Sequence, residues 1–262
     1  MMTMGAGIHP TAVVDPSARI ASDVIIGPYS IVGPDTTIAA GCVVGPHVVI
    51  GARTRLGQRN RIYQFASIGE IPQDRKYGGE PTTTTIGDGN TFREYATVHA
   101  GTVQDRGDTA IGNDNLFLAY THVAHDCVVG SNTTFSNNAQ IAGHVHIGDW
   151  AVLGAFAGVH QFCRVGAYAM LAAFAVVLQD VPTYVTVQGY PAKPHGTNNE
   201  GLRRRGFTPE DILSVRRAYK TLYREGLTLE QARARLAETS ASAPAVAPLA
   251  AFLEQAGRGI VR

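Results

Sequence analysis

The chain has 262 residues, of which 45% are hydrophobic, and its formal net charge at pH 7 is +1. This composition supports a large buried core and argues against disorder, and the small net charge argues against a dedicated nucleic-acid-binding protein. Three cysteines, Cys42, Cys127 and Cys163, follow no metal-ligand spacing, which favours reduced thiols in a cytoplasmic protein.

The N-terminal stretch MMTMGAGIHP lacks a basic region followed by an apolar run, so we expect no signal peptide. The longest apolar run, VGAYAMLAAFAVVL, has fourteen residues and is too short to cross a bilayer. We therefore expect a soluble protein without an integral membrane segment.

A repeat of six residues begins at Ile8 and places an aliphatic residue at every sixth position as far as Ile68. The repeat resumes at Ile86, and a second run, shifted by one residue, extends from Ile111 to Val177. A period of six fits neither an α-helix nor a hairpin protein and is typical of a parallel β-helix. If three faces form one coil, residues eighteen apart stack at the strand spacing of about 4.8 Å.

Two segments interrupt the repeat. Residues 69–85, GEIPQDRKYGGEPTTTT, keep the eighteen-residue count, which predicts a loop at about 70–85 extruded from one whole coil. Residues 101–109, GTVQDRGDT, follow His99, and we expect a turn without a chemical role there.

The stretch AYTHVAHDCVVG, residues 119–130, is rich in polar residues within an apolar repeat. The stacking rule gathers polar residues and one glycine on one wall of the β-helix: His122, His125, Asp126, Gly143, His144, His160 and Gln161. Imidazole is the side chain best suited to general-base catalysis near neutral pH, and a carboxylate fixes its tautomer. His125 and Asp126 provide that pair if a corner brings them together, and the N–H of Gly143 is placed to stabilise an oxyanion. A single histidine could instead satisfy corner carbonyls.

The repeat fades after residue 177, and QDVPTYVTVQGYPAKPHG predicts a connector. Helical signals begin near Gly201, with a capping box and an N-terminal proline at Thr208, a second start at Thr228, and a third helix containing Leu249 to Glu254. We therefore expect a β-helix domain at 1–196 and a small α-helical domain at 197–262. Between residues 201 and 235, nine Arg or Lys stand against four Asp or Glu, which favours an anionic partner.

Several of these stretches together resemble one enzyme family: YQFASIGEIPQD, KYGGEPT, AHDC, AGHV, VHQFCRVGA, QDVPTYV and NNEGLRRRGF. They are similar to the UDP-N-acetylglucosamine 3-O-acyltransferases of lipid A biosynthesis, and the resemblance covers nearly the whole chain from residue 8. It implies an all-β, parallel, left-handed β-helix of triangular section followed by α-helices.

The resemblance implies transfer of an (R)-3-hydroxyacyl chain from acyl carrier protein to the 3-hydroxyl of UDP-N-acetylglucosamine, in the cytoplasm of a Gram-negative bacterium. It implies that His125 is the general base, that Asp126 orients it and that the Gly143 amide stabilises the tetrahedral intermediate. It also implies a homotrimer with active sites between neighbouring chains, and no metal or other cofactor, since the acyl group is carried on the phosphopantetheine of the carrier protein.

By the same resemblance, seven further positions match contacts to the nucleotide sugar: Asp74, His144, Gln161, Asn198, Glu200, Arg204 and Arg205. Four others match residues that line the site: Lys76, His99, His122 and His160. The forked guanidinium group of arginine suits a diphosphate because it offers several donors at once.

Two positions depart from the family pattern. Ala100 follows His99 where family members often have a basic residue, so we expect no phosphate contact there. Ala172 and Ala173 stand near the family's acyl-chain ruler, where glycine admits longer chains. The β-carbon of Ala173 predicts a preference for donors of roughly ten to twelve carbons over fourteen, since each added methylene needs room in a packed groove.

Other functions remain open on the sequence. A γ-type carbonic anhydrase would use three histidines on Zn²⁺, for which His122, His125 and His144 are candidates. The N-acyltransferase of the same pathway carries an additional N-terminal domain, for which a repeat that starts at Ile8 leaves no room. A coenzyme A-dependent acetyltransferase differs in its donor, and a structural β-helix would leave the histidine wall unexplained.

Overall fold

The computed structural model describes residues 7–257 and 259–262. Its main part is a left-handed parallel β-helix, as the six-residue repeat and the resemblance predicted. Each repeat supplies one short strand and one corner, because an inward aliphatic residue is followed by small or polar residues that turn the chain.

The strands, in chain order, are β1 (Val13–Val14), β2 (Arg19–Ile20), β3 (Ile25–Ile26), β4 (Ile31–Val32), β5 (Thr37–Ile38), β6 (Val43–Val44), β7 (Val49–Ile50), β8 (Thr54–Leu56), β9 (Arg61–Ile62), β10 (Ser67–Glu70), β11 (Thr83–Ile86), β12 (Thr91–Phe92), β13 (Thr97–His99), β14 (Asp108–Ile111), β15 (Leu116–Phe117), β16 (His122–Val123), β17 (Val128–Val129), β18 (Thr134–Phe135), β19 (Gln140–Ile141), β20 (His146–Ile147), β21 (Val152–Leu153), β22 (Gly158–Val159), β23 (Arg164–Val165), β24 (Met170–Leu171), β25 (Val176–Val177), β26 (Val185–Gln188) and β27 (Lys193–Thr197).

Every third strand belongs to the same sheet, so the β-helix has three faces. Face 1 runs from β1 through β4 and β16 to β25, face 2 from β2 through β17 to β23, and face 3 from β3 through β21 to β26 and β27. All pairings are parallel except that of β26 with β27. The edges where one face passes into the next are called the 1–2, 2–3 and 3–1 edges below.

Residues eighteen apart pair in most coils, as the repeat predicted: Val123 pairs with Ile141, and Ile141 with Val159. The inward side chains form one apolar core in which Phe92, Phe117 and Phe135 are almost completely buried. This burial supplies the main favourable free energy for a fold whose strands are only two to five residues long.

The corners use the left-handed backbone region repeatedly. Asp126, His144 and Phe162 follow one another along the 1–2 edge with φ values of 59°, 62° and 64°. This region is disfavoured for residues other than glycine. Hydrogen bonds between coils hold it here: the His144 N–H donates to the His125 carbonyl at 3.0 Å, and the Phe162 N–H donates to the Gly143 carbonyl at 3.1 Å.

Both interruptions leave the β-helix at the 1–2 edge. The first loop spans residues 71–82, because β10 includes Glu70 and β11 begins at Thr83. The sequence predicted a loop extruded from one whole coil; in the structure Ile68 on face 1 pairs with Val98, thirty positions later, so twelve residues are inserted at a single corner. The second loop, residues 100–107, lies between β13 and β14 and adds seven residues, since Val98 pairs with Val123.

The C-terminal part contains α1 (Asn199–Arg204), α2 (Pro209–Tyr223), α3 (Leu229–Ser242), a 3₁₀ turn (Pro244–Val246) and α4 (Ala247–Glu254). The capping box predicted at Thr208 is present, and the helix start predicted at Thr228 also has a capping box, with Gln231. The helical signals expected near Gly201 correspond to α1, and the predicted connector contains most of the hairpin of β26 and β27.

The helices have an apolar core of their own, which includes Leu202, Leu222 and Leu236. Tyr219 and Tyr223 of α2 pack against the core of the β-helix. Among the described residues no helix combines the length and hydropathy that a bilayer span requires.

Candidate active site

The histidine wall predicted from the sequence lies at the 1–2 edge. His122 is the first residue of β16 on face 1, and His125 and Asp126 form the corner that leads into β17 on face 2. His144 and Gly143 occupy the same corner one coil later, and His160 and Gln161 the next. The structure therefore brings together the part of the predicted site that the eighteen-residue column defines.

Adjacent residues on a strand point to opposite faces, so His125 and Asp126 can meet only at a bend. The corner supplies it, since Asp126 has a φ of 59°. His125 Nδ1 lies 2.9 Å from Asp126 Oδ2. The side chain of His125 is 14% exposed, whereas that of Asp126 is completely buried.

Asp126 is held by the second loop and by the strand that follows it. The Thr102 N–H donates to Oδ1 at 2.8 Å, and the Thr102 hydroxyl donates to Oδ2 at 2.7 Å. The Asp126 N–H donates to Thr109 Oγ1 at 2.8 Å. Because a carboxylate with these donors is an acceptor toward His125, it selects the Nδ1–H tautomer and leaves Nε2 with a lone pair that can accept a proton.

Gly143 is required for the shape of this corner. A β-carbon there would lie 2.6 Å from His125 Cε1 and 2.8 Å from Nε2, so any side chain would collide with the imidazole. Gly143 is buried, and among the described residues no acceptor takes its backbone N–H. A backbone N–H without an acceptor in the protein is the kind of donor that can stabilise an oxyanion.

His144 adds a second carboxylate–imidazole pair. Its Nδ1 lies 2.7 Å from Asp105 Oδ2 and 3.9 Å from Asp126 Oδ2. Its ring stacks on Phe162, with centroids 4.3 Å apart, and meets the His125 ring edge-on at 5.0 Å.

His99, which is buried, and His122, which is half-buried, form a pair beside His125 with ring centroids 5.1 Å apart. Burial lowers the pKa of His122 to about 4, and the neighbouring His99 and His125 add to this effect. Burial also lowers the pKa of His99. Both rings are therefore neutral at pH 7, and the Thr97 hydroxyl lies 2.8 Å from His122 Nδ1.

The thiol beside this cluster is unsuited to nucleophilic attack. Burial raises the pKa of Cys127 to about 12, and its Sγ lies 3.1 Å from the Ala142 carbonyl oxygen. Since the thiolate is the reactive form, Cys127 packs in the core and takes no chemical role. The imidazole of His125 is the group at this corner with the means to accept a proton.

The other predicted residues at the 1–2 edge are less constrained. His160 Nδ1 lies 3.2 Å from the Gln161 carbonyl oxygen, and both residues are exposed. Asp74 and Lys76 lie on the 71–82 loop, where Asp74 Oδ1 accepts the Lys76 N–H at 2.9 Å. Ala100, where no phosphate contact was expected, is buried, and its N–H donates to the Glu70 carbonyl at 2.8 Å.

The four predicted C-terminal residues lie at a different edge of the same chain. Arg204 and Arg205 line a cavity of about 580 Å³ with Trp150 and Tyr168 of the 2–3 edge. The Arg205 guanidinium carbon lies 4.5 Å above the Trp150 ring, a cation–π contact. Within one chain, the arginines are therefore not part of the His125 corner.

Two of these four residues have a structural role in α1. Asn198 caps it, with Oδ1 accepting the Gly201 N–H at 3.0 Å and Nδ2 donating to the Tyr168 carbonyl at 3.0 Å. Glu200 pairs with Arg203 and with Arg204. Ala173, the predicted ruler, is exposed on the 3–1 edge beside Phe174.

The trio proposed for zinc is not the one that the fold assembles. His125, Asp126 and His144 offer ligand atoms within 4.8 Å of one another, whereas His122 is not in this group. Two nitrogens and one carboxylate oxygen match the donors that a divalent transition metal prefers. In the structure these three atoms hydrogen-bond to one another or to Thr102 and Asp105.

Sequence reasoning missed Thr102, Asp105 and Thr109. We expected residues 101–109 to be a turn without a chemical role, and in the structure Thr102 hydrogen-bonds to Asp126 and Asp105 to His144. The usable signal was the position of this loop, which leaves the wall of histidines directly after His99. Trp150 and Tyr168 were also missed, because they occupy ordinary corner positions of the repeat and nothing in the sequence distinguishes them from other corner residues.

Comparisons with known proteins agree with this architecture. Residues 180–261 match the family described as Udp N-acetylglucosamine O-acyltransferase, Domain 2, and residues 108–143 and 127–161 match the bacterial transferase hexapeptide family of six repeats. A protein of Thiobacillus denitrificans named acyl-[acyl-carrier-protein]–UDP-N-acetylglucosamine O-acyltransferase is 57% identical over 98% of this chain and 100% of its own length. A protein of the same name from Janthinobacterium is 54% identical over 97% and 99%.

Solved structures show the same likeness. The structure of LpxA from Acinetobacter baumannii superposes with a TM-score of 0.95 at 50% identity and covers 97% of this chain and 99% of its own. The UDP-N-acetylglucosamine acyltransferase of Arabidopsis superposes with a TM-score of 0.84 at 32% identity, with coverage of 97% and 100%.

Proposed function

The chain belongs to the acyl-[acyl-carrier-protein]–UDP-N-acetylglucosamine O-acyltransferases, and on that premise we propose how its residues perform the reaction. The chain is an acyltransferase that moves an acyl group from acyl carrier protein to UDP-N-acetylglucosamine in lipid A biosynthesis. We infer that the acyl group is an (R)-3-hydroxyacyl chain and that the acceptor atom is the 3-hydroxyl oxygen of the sugar.

The observation that carries the mechanism is the His125–Asp126 pair next to the unpaired Gly143 amide. His125 Nε2 takes the proton of the sugar hydroxyl as its oxygen attacks the thioester carbonyl. Asp126 keeps the tautomer that makes Nε2 the acceptor and stabilises the imidazolium that forms. The Gly143 N–H donates to the oxyanion of the tetrahedral intermediate, and the imidazolium returns its proton to the departing thiolate.

The neutral histidines beside this pair suit the same step. His122 and His99 carry no charge at pH 7, so they add no repulsion against the imidazolium that forms on His125. Asp74, Lys76, His144, His160 and Gln161 surround the same edge or its loops, and we assign them to the nucleotide sugar or to the donor. No metal or other cofactor enters this mechanism.

A partner copy is part of the proposal. Arg204 and Arg205 reach the diphosphate only if the 2–3 edge of one chain lies beside the 1–2 edge of another. We therefore propose a homotrimer in the cytoplasm with sites between its chains. The anionic groups of carrier protein and diphosphate match the excess of Arg and Lys between residues 201 and 235.

The test is acyl transfer from 3-hydroxyacyl carrier protein to radiolabelled UDP-N-acetylglucosamine by the native protein and by His125→Ala. Loss of a general base lowers kcat by about 10² to 10⁴. His195→Ala, an exposed histidine of β27, is the matched control and keeps native activity. Robust transfer by His125→Ala contradicts the assignment of the base. If the native protein transfers no acyl group, the proposed donor and acceptor are wrong, and the next experiments are assays with coenzyme A donors and a zinc analysis.

The donor length is a finer part of the same proposal. Ala173 carries a β-carbon on the exposed 3–1 edge, where we expect the acyl chain to end after roughly ten to twelve carbons, because overpacking of an apolar groove is unfavourable. The rates with donors of ten, twelve and fourteen carbons test this for the native chain and for Ala173→Gly. A preference that does not lengthen in Ala173→Gly removes this residue as the ruler.

A further inference from the structure

The loop of residues 100–107 carries an exposed aspartate that contacts the candidate site. Asp105 Oδ2 lies 2.7 Å from His144 Nδ1, across thirty-nine positions of sequence. The His144 side chain is 14% exposed and that of Asp105 is 42% exposed. The Asp105 carboxylate therefore approaches a mostly buried imidazole from the solvent side.

Other contacts fix the plane of the His144 ring, but they do not distinguish the two orientations in which ring nitrogens and carbons exchange positions. The stack on Phe162 has an interplanar angle of 8°, and the contact with His125 is edge-on at 90°. A half-turn of the imidazole about its Cβ–Cγ bond leaves its plane unchanged and preserves a stacked contact. The contact with Asp105, at 2.7 Å, is the hydrogen bond that distinguishes the two orientations, since Asp126 Oδ2 lies 3.9 Å from Nδ1, beyond hydrogen-bond distance.

An ionised carboxylate can only accept hydrogen bonds, so the imidazole nitrogen that faces it must carry a proton. Asp105 therefore selects the Nδ1–H tautomer of His144. Nε2 of His144 is then an acceptor. Without Asp105, the tautomer with the proton on Nε2 becomes populated. Nε2 is then a donor and cannot accept a hydrogen bond from a hydroxyl or amide N–H.

We propose that Asp105 is a positioning residue for the acyl acceptor: it holds His144 as the Nδ1–H tautomer, so that Nε2 accepts a hydrogen bond from a hydroxyl or amide N–H of the sugar. The proposal rests on the proposed function in naming a sugar as the ligand. The selection of the tautomer stands on the geometry of this chain alone.

The same loop holds both carboxylate–imidazole pairs, but through different residues. Thr102 donates twice to Asp126, whereas Asp105 contacts His144. Substitution of Asp105 therefore leaves the hydrogen bonds of the His125–Asp126 pair in place. This separation predicts weaker binding of the acceptor with little change in the chemical step.

The experiment compares the native protein with Asp105→Ala, Asp105→Glu and the loop control Gln104→Ala. Gln104 is exposed and adjacent in the same loop. Loss of the neutral hydrogen bond from the sugar to His144 Nε2 raises KM for UDP-N-acetylglucosamine about 3- to 10-fold in Asp105→Ala, with kcat within about twofold of native. Asp105→Glu restores part of the affinity, and Gln104→Ala is native-like.

The second readout needs no substrate. Long-range ¹⁵N–¹³C spectra of histidine-labelled protein at pH 8 report the tautomer of each ring, and His144→Gln identifies the His144 signal. We expect Nδ1–H for His144 in the native protein and in Gln104→Ala, and a shift toward Nε2–H in Asp105→Ala.

The two readouts separate this proposal from the proposed function. A native KM and an unchanged tautomer in Asp105→Ala overturn the positioning role. A native protein that transfers no acyl group, but whose His144 tautomer shifts in Asp105→Ala, overturns the proposed reaction and supports the positioning role. Equal losses of kcat and of thermal stability in Asp105→Ala, with the tautomer retained, identify a merely structural loop contact and also overturn it.

Discussion

The 1–2 edge places His125 and Asp126 among buried partners, whereas the 2–3 edge presents a half-buried guanidinium, Arg205, above Trp150. Both edges use the same corner, since Asp126 and Trp150 have φ values of 59° and 62°. The backbone is therefore shared, and burial decides the chemistry. A carboxylate out of water orients an imidazole strongly, while exposed cations offer a screened attraction to a mobile anion.

The largest expected effect tests the close approach at the 1–2 edge. Gly143→Ala places a β-carbon 2.6 Å from His125 Cε1 and displaces the imidazole or the amide beside it. Loss of one oxyanion donor alone lowers kcat by about 10² to 10³, and displacement of the base adds to this. Steady-state kinetics with acyl carrier protein donors measure the loss.

The control for that substitution is Gly257→Ala, where a β-carbon meets no atom within 4 Å. Its kinetics and thermal unfolding are expected to match the native protein. Native-like kcat in Gly143→Ala would mean that neither the amide nor the position of the His125 ring matters, and the proposed mechanism would fail.

A matched pair of aspartates compares the two edges directly. Asp126→Asn removes the charge that stabilises the imidazolium and presents an amide to both His125 and Thr102, so kcat falls by about 10²-fold. Asp149→Asn makes the same change beside Trp150, where Oδ1 accepts the Ser131 N–H at 2.7 Å, and an amide oxygen still accepts that bond. Equal losses of kcat in both variants would show that the buried pair has no special role.

The lowered pKa of His122 predicts a dependence of stability on pH. The pKa of His122 is about 4 in the folded chain, below its ordinary value of 6.5. The unfolded chain therefore binds more protons between these values, and stability is lost as the pH falls from about 6.5 to about 4. The full shift corresponds to about 3 kcal/mol, which partial exposure of the site reduces to about 2 kcal/mol.

Denaturant unfolding at pH 7, 6, 5 and 4 measures this slope for the native protein and for His122→Gln. The variant loses the contribution of His122, so its stability falls less steeply with acid, while His195→Gln at an exposed site of β27 leaves the slope unchanged. Parallel slopes in all three proteins would contradict a His122 that stays neutral in the folded chain.

The smallest of these effects belongs to the 2–3 edge. Arg205→Lys keeps the charge but loses the planar contact with Trp150 and the forked donors, which raises KM for UDP-N-acetylglucosamine about 5- to 10-fold. Arg203→Lys, at an exposed position paired with Glu200, is the control. A native KM in Arg205→Lys would remove this edge from the acceptor site.

The sequence by itself determined the β-helix, the column of His125 and Gly143, and the helix starts at Thr208 and Thr228. These features depend on residues at a short or fixed separation along the chain: each coil packs on the next at a constant offset, and a capping box joins residues within four positions. Residues that are related by the period of the sequence are therefore in contact in the structure.

Only the tertiary structure decided which residues hold the proposed catalytic pair, His125 and Asp126, and which predicted site residues lie apart. Thr102 and Asp105 lie on a seven-residue insertion without a repeat, and their contacts to Asp126 and His144 span twenty-four and thirty-nine positions. No period relates such positions, because the path of an inserted loop depends on all the surfaces it meets. The resemblance implied that Arg204 and Arg205 contact the nucleotide sugar, and the structure shows that within one chain they lie beside Trp150 at the 2–3 edge.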